Sequence, residues 1–310
     1  MGGPTTRWND SSKNHHWWPR CVSKYWRDNE GNVNGVNSDD TPIRPSKRRK
    51  KIGSDEHWLT VFEKGSEFWP EEKIEFMFDQ SDNDFPRILS ELESLSKDTR
   101  VQSEEKLSTS HELNYTSEEV SDDLYHYVAS LIVRSPSFRA RIEKTVRGYG
   151  SFDKSSSGLQ ETLLRNIESS FKPIEEAIRS CPQKFCFFAD EGEFCFGDGF
   201  FHTFNINSAH TIPMYCAGIV PLTPTLAFGF RLPKLSTQGF KLIKLGRMSV
   251  ENINRLTMGH SCERIFYRSE KPKLSPEFTA KEFKQLQDNK SIWFDEFCSS
   301  FGDRINDHVQ

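Results

Sequence analysis

The chain contains no apolar run of about 18 residues, the length a membrane-spanning helix needs, so no span is expected. It also lacks a secretory signal pattern. The apolar fraction is low, at 35%, which predicts loose segments between well-packed ones. None of the seven cysteines forms C-x-x-C, which argues against a zinc ribbon or a local redox pair. Their odd number and wide spacing fit a reducing, cytoplasmic setting. G-x-x-x-x-G-K-[ST], G-x-G-x-x-G, G-x-S-x-G and H-E-x-x-H are all missing. A nucleotide-driven motor, a Rossmann dehydrogenase, an α/β hydrolase and a zincin are therefore not expected.

Charge is abundant but unevenly placed. Residues 1–53 hold eleven Lys/Arg against five Asp/Glu, and residues 54–125 hold six against twenty. Such asymmetry predicts two electrostatic faces or an internal pairing of the two stretches. The basic excess peaks at Lys47, Arg48, Arg49, Lys50 and Lys51, in a loop near 44–53 that would suit contact with nucleic acid phosphates or simply stay solvated.

The pattern along the chain predicts an α+β fold, with a helical middle segment and a mostly antiparallel sheet in the C-terminal half. Residues 1–13 read as a disordered N-terminus and 14–300 as one α+β domain with a polar linker near 98–117. From Cys21 onward the spacing predicts a short strand and a turn at Asp28–Gly31. Phe85, Ile88, Leu89, Leu92 and Leu95 predict a helix over 84–97. Leu124, Val128, Leu131 and Ile132 predict a second, broken near Pro136. A third over 159–180 should be interrupted near Pro173. From Lys184 the chain turns to short, phenylalanine-rich apolar runs, which read as buried strands. Ser249 should cap a short helix ending near His260, and Thr279 should open a terminal helix reaching about Cys298.

Six short blocks carry polar chemistry inside otherwise apolar or turn-like stretches. They are Asn14-His15-His16-Trp17-Trp18-Pro19-Arg20, Leu124–Arg141 (with its match at Arg134, Ser135, Pro136, Phe138 and Arg139), Phe194–Phe200, Pro221–Phe228, Ile253–Leu256 and Arg264–Tyr267. In composition and order they resemble the mostly bacterial domain of unknown function 4238 family, whose blocks read H-H-Y-x-P-R/K, R-T/S-P-x-F-R, F-I-T-S-D-N-P, P-L-S-P-x-L-A-L, L-N-R-x and R-F-V-Y. The resemblance implies a fold and a bacterial setting more readily than an activity. The S-D-N-P block keeps only its aspartate here, Asp198, with Gly199 in place of the asparagine.

Within these blocks the candidate catalytic groups are His15, His16 and Asp198. Histidine titrates near neutrality, and adjacent residues on an extended chain point to opposite sides, so one of the pair would face a pocket. Asp198 lies in Gly197-Asp198-Gly199, which reads equally as a strand-end carboxylate or as a hairpin turn. Arg20, Arg134 and Arg139 are candidate clamps for phosphate or carboxylate, and Asn254 a polar anchor or binding group. Two functions follow as expectations. The first is a nuclease-like hydrolytic effector, for which a divalent metal would be a fitting cofactor. The second is a non-enzymatic module that binds an anionic ligand or nucleic acid. Neither oligomeric state nor substrate is legible. The blocks 14–20, 134–139, 194–199 and 253–256 are expected to meet around one cleft.

Overall fold

A computed structural model describes residues 14–43, 54–56, 62–63, 66–67, 71–96, 102–103, 118–149, 157–204, 216–232, 239–281, 294 and 297–298. The expected disordered terminus and the basic run Lys47–Lys51 lie outside the described residues.

Strand β1 (Asn14–His16) pairs antiparallel with β4 (Ser54–Glu56), setting His15 opposite Asp55. The segment from Cys21 is not a strand. Pro19 leads into helix α1 (Arg20–Ser23), which runs on as a 3₁₀ turn, Lys24–Trp26. Val22 and Trp26, one helical turn apart, both face inward and are fully buried. The expected turn follows, with Asp28 Oδ1 accepting from the backbone N–H of Glu30 and Asn32. Strands β2 (Asn34–Asn37) and β3 (Pro42–Ile43) pair beyond it, and β5 (Phe62–Glu63) pairs with β6 (Ser66–Glu67).

Helix α2 spans Glu71–Ser96, more than a turn longer at its start than the apolar spacing alone implies. It buries Phe78, Phe85, Ile88, Leu89 and Leu92 and accommodates Pro86 without ending. The polar stretch after it is more than a linker, because β7 (Gln102–Ser103) joins a sheet there. Helices α3 (Glu118–Val133) and α4 (Pro136–Tyr149) are separated at the expected proline. Ser135 caps α4 by accepting from Phe138 N–H (3.3 Å), and Pro136 occupies the first helical position, where a missing N–H costs nothing. Helix α5 (Ser157–Ser180) runs through Pro173 without the predicted interruption. The carbonyl that loses its donor belongs to Ser169, which is exposed, so water can satisfy it.

The C-terminal half supplies the strands. Their order in the larger sheet is β10 (Phe201–His202), β11 (Ala217–Thr223), β12 (Leu226–Arg231), β8 (Gln183–Ala189), β13 (Gly239–Leu245), β7. Pairing is antiparallel from β10 to β8 and parallel across β8, β13 and β7. Strands β11 and β12 are buried at every position, so their apolar character is continuous rather than alternating. A second sheet, fully antiparallel, has the order β3, β2, β14 (Arg264–Tyr267), β9 (Phe196–Gly197). The fold is α+β, and a continuous set of buried side chains runs from Trp17 to Cys298.

Two C-terminal expectations change. Helix α6 (Arg247–Gly259) begins earlier than predicted, and Gly246, not Ser249, takes the cap position. Thr279 ends a helix instead of opening one: α7 (Pro276–Thr279) is capped by Ser275, and Lys281 just beyond has φ +56°. The further course toward Cys298 lies outside the described residues, apart from single positions.

Candidate functional site

The polar blocks interlock, and they do so through backbone and rings. Trp18 stacks on Phe196 with ring centroids 4.5 Å apart. Ser137 N–H donates to the carbonyl of Asp198 (3.0 Å). Asn254 Oδ1 accepts from Cys195 N–H (2.8 Å) while its Nδ2 donates to the Glu193 carbonyl (2.8 Å). Both ends of that amide are used to hold the chain entering β9, which makes Asn254 an anchor.

Asp198 does not sit in a hairpin. It lies where the chain leaves β9 in one sheet for β10 in the other. Its Oδ1 accepts from Cys262 N–H (2.7 Å), and its Oδ2 accepts from Glu263 (3.0 Å) and Arg264 (3.1 Å). Its own N–H donates to the Arg264 carbonyl (3.1 Å). The neighbouring glycines permit this contact. A Cβ on Gly199 would fall 2.1 Å from the His260 carbonyl and 2.3 Å from Ser137 Oγ, and one on Gly197 2.0 Å from Ser261 Oγ. Burial pushes the Asp198 carboxyl up to about 7, against the lowering pull of the three backbone amides. Its two oxygens thus hold the 262–264 turn in place.

Arg134 is 2% exposed and forks onto Asp82, with Nη2 2.7 Å from Oδ1 and Nη1 3.2 Å from Oδ2. Nη2 also reaches Ser130 Oγ (3.1 Å), and the guanidinium lies 5.0 Å above the Phe78 ring. This pairs Arg134 with the acidic stretch 54–125, and it is not a pairing of that stretch with residues 1–53. It joins α3 to α2 and commits both amino groups of the fork. Arg139 is buried within α4. The side chains of His15, His16 and Arg20 lie outside the described residues, as do Lys47, Arg48, Arg49, Lys50 and Lys51.

A different set of polar groups gathers beside the Asp198 crossing. Arg141 on α4 is 6% exposed, His202 on β10 1%, and His260 at the end of α6 4%. Arg141 Nη1 lies 2.8 Å from His202 Nε2. Burial, and the positive neighbours Arg141 and His260, hold His202 well below the ordinary histidine range. His202 is therefore neutral and accepts from Arg141 through Nε2. Burial lowers Arg141 to about 10, which leaves it cationic at neutral pH. His260 Nδ1 is 2.9 Å from the Leu256 carbonyl, which fixes Nδ1 as a donor. The half-buried Cys262 is the most exposed member of the group. Burial and the adjacent Asp198 raise its thiol, so it is no activated nucleophile.

Arg141, His202 and His260 are not among the residues the sequence singles out. Arg141 closes the block 124–141 but is not one of its matched positions. A histidine inside the apolar run Phe200-Phe201-His202-Thr203-Phe204 is the signal that points to His202. Among the described residues no three His, Cys, Asp or Glu side chains gather as a metal site. A groove of about 820 Å³ runs between α6 and the segment 269–277, with Arg247, Arg255 and Lys273 balanced by Glu251, Glu270 and Glu277. No helix among the described residues is long and apolar enough to cross a membrane.

A family model described as "Protein of unknown function (DUF4238)" matches residues 14–271. No curated protein and no solved structure matches the chain.

Proposed function

Because the chain belongs to the DUF4238 family, whose description assigns no activity, we propose a function from its interior chemistry: a module that binds an anionic group, phosphate or carboxylate, at Arg141, His202 and His260. The observation that supports this reading is the burial of one guanidinium with two imidazoles in a single interior. A guanidinium is a bidentate donor suited to phosphate or carboxylate, and an imidazole beside it can add a further donor. A neutral imidazole serves either way, as Nε2 acceptor to Arg141 or, once protonated, as a second charge on the ligand. The setting we propose is the cytoplasm of a bacterial cell, in keeping with seven free cysteines.

Nuclease-like hydrolysis of RNA or DNA is the second reading. One observation favours it: a carboxyl held near 7, Asp198, has the right affinity for proton transfer at neutral pH. Against it, both oxygens of that carboxyl already accept backbone amides.

The test is melting temperature against inorganic phosphate, at ionic strength matched with chloride, for the parent, Arg141→Gln and Arg141→Lys. Specific binding raises the parent's melting temperature with the logarithm of phosphate concentration above Kd, by about 2.7 kcal/mol of stability at a hundredfold excess over Kd. Arg141→Gln should abolish the rise, and Arg141→Lys should retain part of it. An equal rise in all three proteins would sink the proposal. In parallel, total RNA and plasmid DNA are incubated with the parent, with and without divalent metal. Fragmentation that Asp198→Asn removes would favour the second reading.

A further inference from the structure

We propose that Cys181 and Cys216 form an oxidation-sensitive dithiol, which hydrogen peroxide converts to an intramolecular disulfide. Cys181 follows the last turn of α5, and Cys216 leads into β11, 35 positions further on. Their side chains cross. Cys181 Sγ is 3.9 Å from the Cys216 carbonyl oxygen, and Cys216 Sγ is 3.9 Å from the carbonyl oxygen of Ala177, one turn earlier in α5. Each thiol therefore reaches across to the backbone of the other's segment, and Lys184 Nζ donates to the Cys181 carbonyl (2.5 Å) beside them. A nearby cation favours the thiolate, the form that reacts.

The chemistry balances with one equivalent of peroxide. A thiolate attacks a peroxide oxygen, the O–O bond breaks, hydroxide leaves, and a sulfenic acid forms. The second thiol attacks that sulfur, the S–O bond breaks, and the S–S bond forms. Two thiols lose two hydrogens, and the peroxide becomes two waters. Both cysteines are at most 2% exposed, so bulky thiol reagents are excluded and only a small neutral oxidant suits the pair. Burial and the contact between the thiols hold Cys216 well above the ordinary thiol range, so the reaction is slow at neutral pH and quickens as pH rises. The bond would tie α5 to the strand in which Gly218 pairs with His202. The inference stands independently of the anion-binding reading.

The full-length protein is treated with hydrogen peroxide at mildly alkaline pH, quenched with catalase, alkylated under denaturing conditions and mapped by peptide mass spectrometry. The expected product is a peptide pair joined through Cys181 and Cys216, two hydrogens lighter than the reduced pair and restored by dithiothreitol. Total thiols fall from seven to five, that is 7 − 2, for this bond alone. Cys181→Ala and Cys216→Ala should each prevent the linked pair. Sulfinic acid at either position without the linked pair, or a disulfide using another cysteine in its place, would overturn the proposal. The mapping is made on the parent protein, so it decides the matter even where a variant folds poorly.

Discussion

Trp18 lies flat against Phe196, with the two ring planes 11° from parallel. Phe266 closes on the same indole at 4.6 Å and Trp26 meets it edge-on at 6.2 Å, so a residue near the start of the described chain is sealed between β9 and β14. Trp18→Ala should therefore destabilise the protein by about 3–5 kcal/mol, while Trp18→Phe should lose distinctly less. Urea unfolding measures both. A loss under about 1 kcal/mol for Trp18→Ala would show that the N-terminal block is not part of the cooperative core.

Asp198 should make stability depend on pH. Its folded value of about 7 lies above the ordinary carboxylate value of 3.8, so the folded state holds the proton more tightly than the unfolded state. The contribution is fully present below the lower value and is lost as pH rises through about 7. Denaturant unfolding across this window should show a falling contribution on the order of a few kcal/mol in the parent. Asp198→Asn should remove that slope. The variant should also be less stable at low pH, because its Nδ2 turns a donor toward backbone donors.

His202 should act in the opposite sense. Its folded value is depressed, so the stability it contributes is present above the ordinary histidine value and is lost as pH falls through the depressed one. His202→Gln should flatten this acid limb. In the parent, a bound phosphate should raise the value at His202, so phosphate affinity should increase as pH falls below neutrality. Imidazole resonances followed by NMR with and without phosphate check this, and identical titration curves would count against the pocket.

Arg134 should behave as a structural pair with Asp82 and not as a ligand clamp. Arg134→Met should destabilise the protein, and the coupling with Asp82→Asn in a double-mutant cycle should be about 0.5–3 kcal/mol, toward the lower end because Asp82 is 30% exposed. The melting-temperature response to phosphate should survive in Arg134→Met. Loss of that response at unchanged stability would move Arg134 back into the binding site.

Local signals carried much of the architecture. Pro136 separates α3 from α4 because it sits where a first helical residue wants no N–H, and the apolar spacing of α2 shows without any tertiary information. Signals whose outcome depends on distant partners did not read through. Pro173 breaks nothing because the carbonyl it orphans belongs to the exposed Ser169. Asp198-Gly199 has the composition of a hairpin, yet the chain there changes sheets, since the amides that satisfy Asp198 belong to residues 262–264. The meeting of Arg141 with His202 and of Cys181 with Cys216 depends on strand order, which no spacing along the chain encodes. Block position and charge type drew attention to Arg134, but its partner Asp82 lies 52 positions away.

The crossing at Asp198 also constrains the order of events during synthesis. Its carboxyl waits for amides 64 and 65 positions downstream, and its carbonyl receives an amide from α4, far upstream. Contacts of such long range close late, after the loop entropy between them has been overcome. Until Arg264 has left the ribosome, the Asp198 carboxyl cannot leave water for these partners without the full cost of burying it. The two sheets therefore lock together only once nearly all of the matched region has been made.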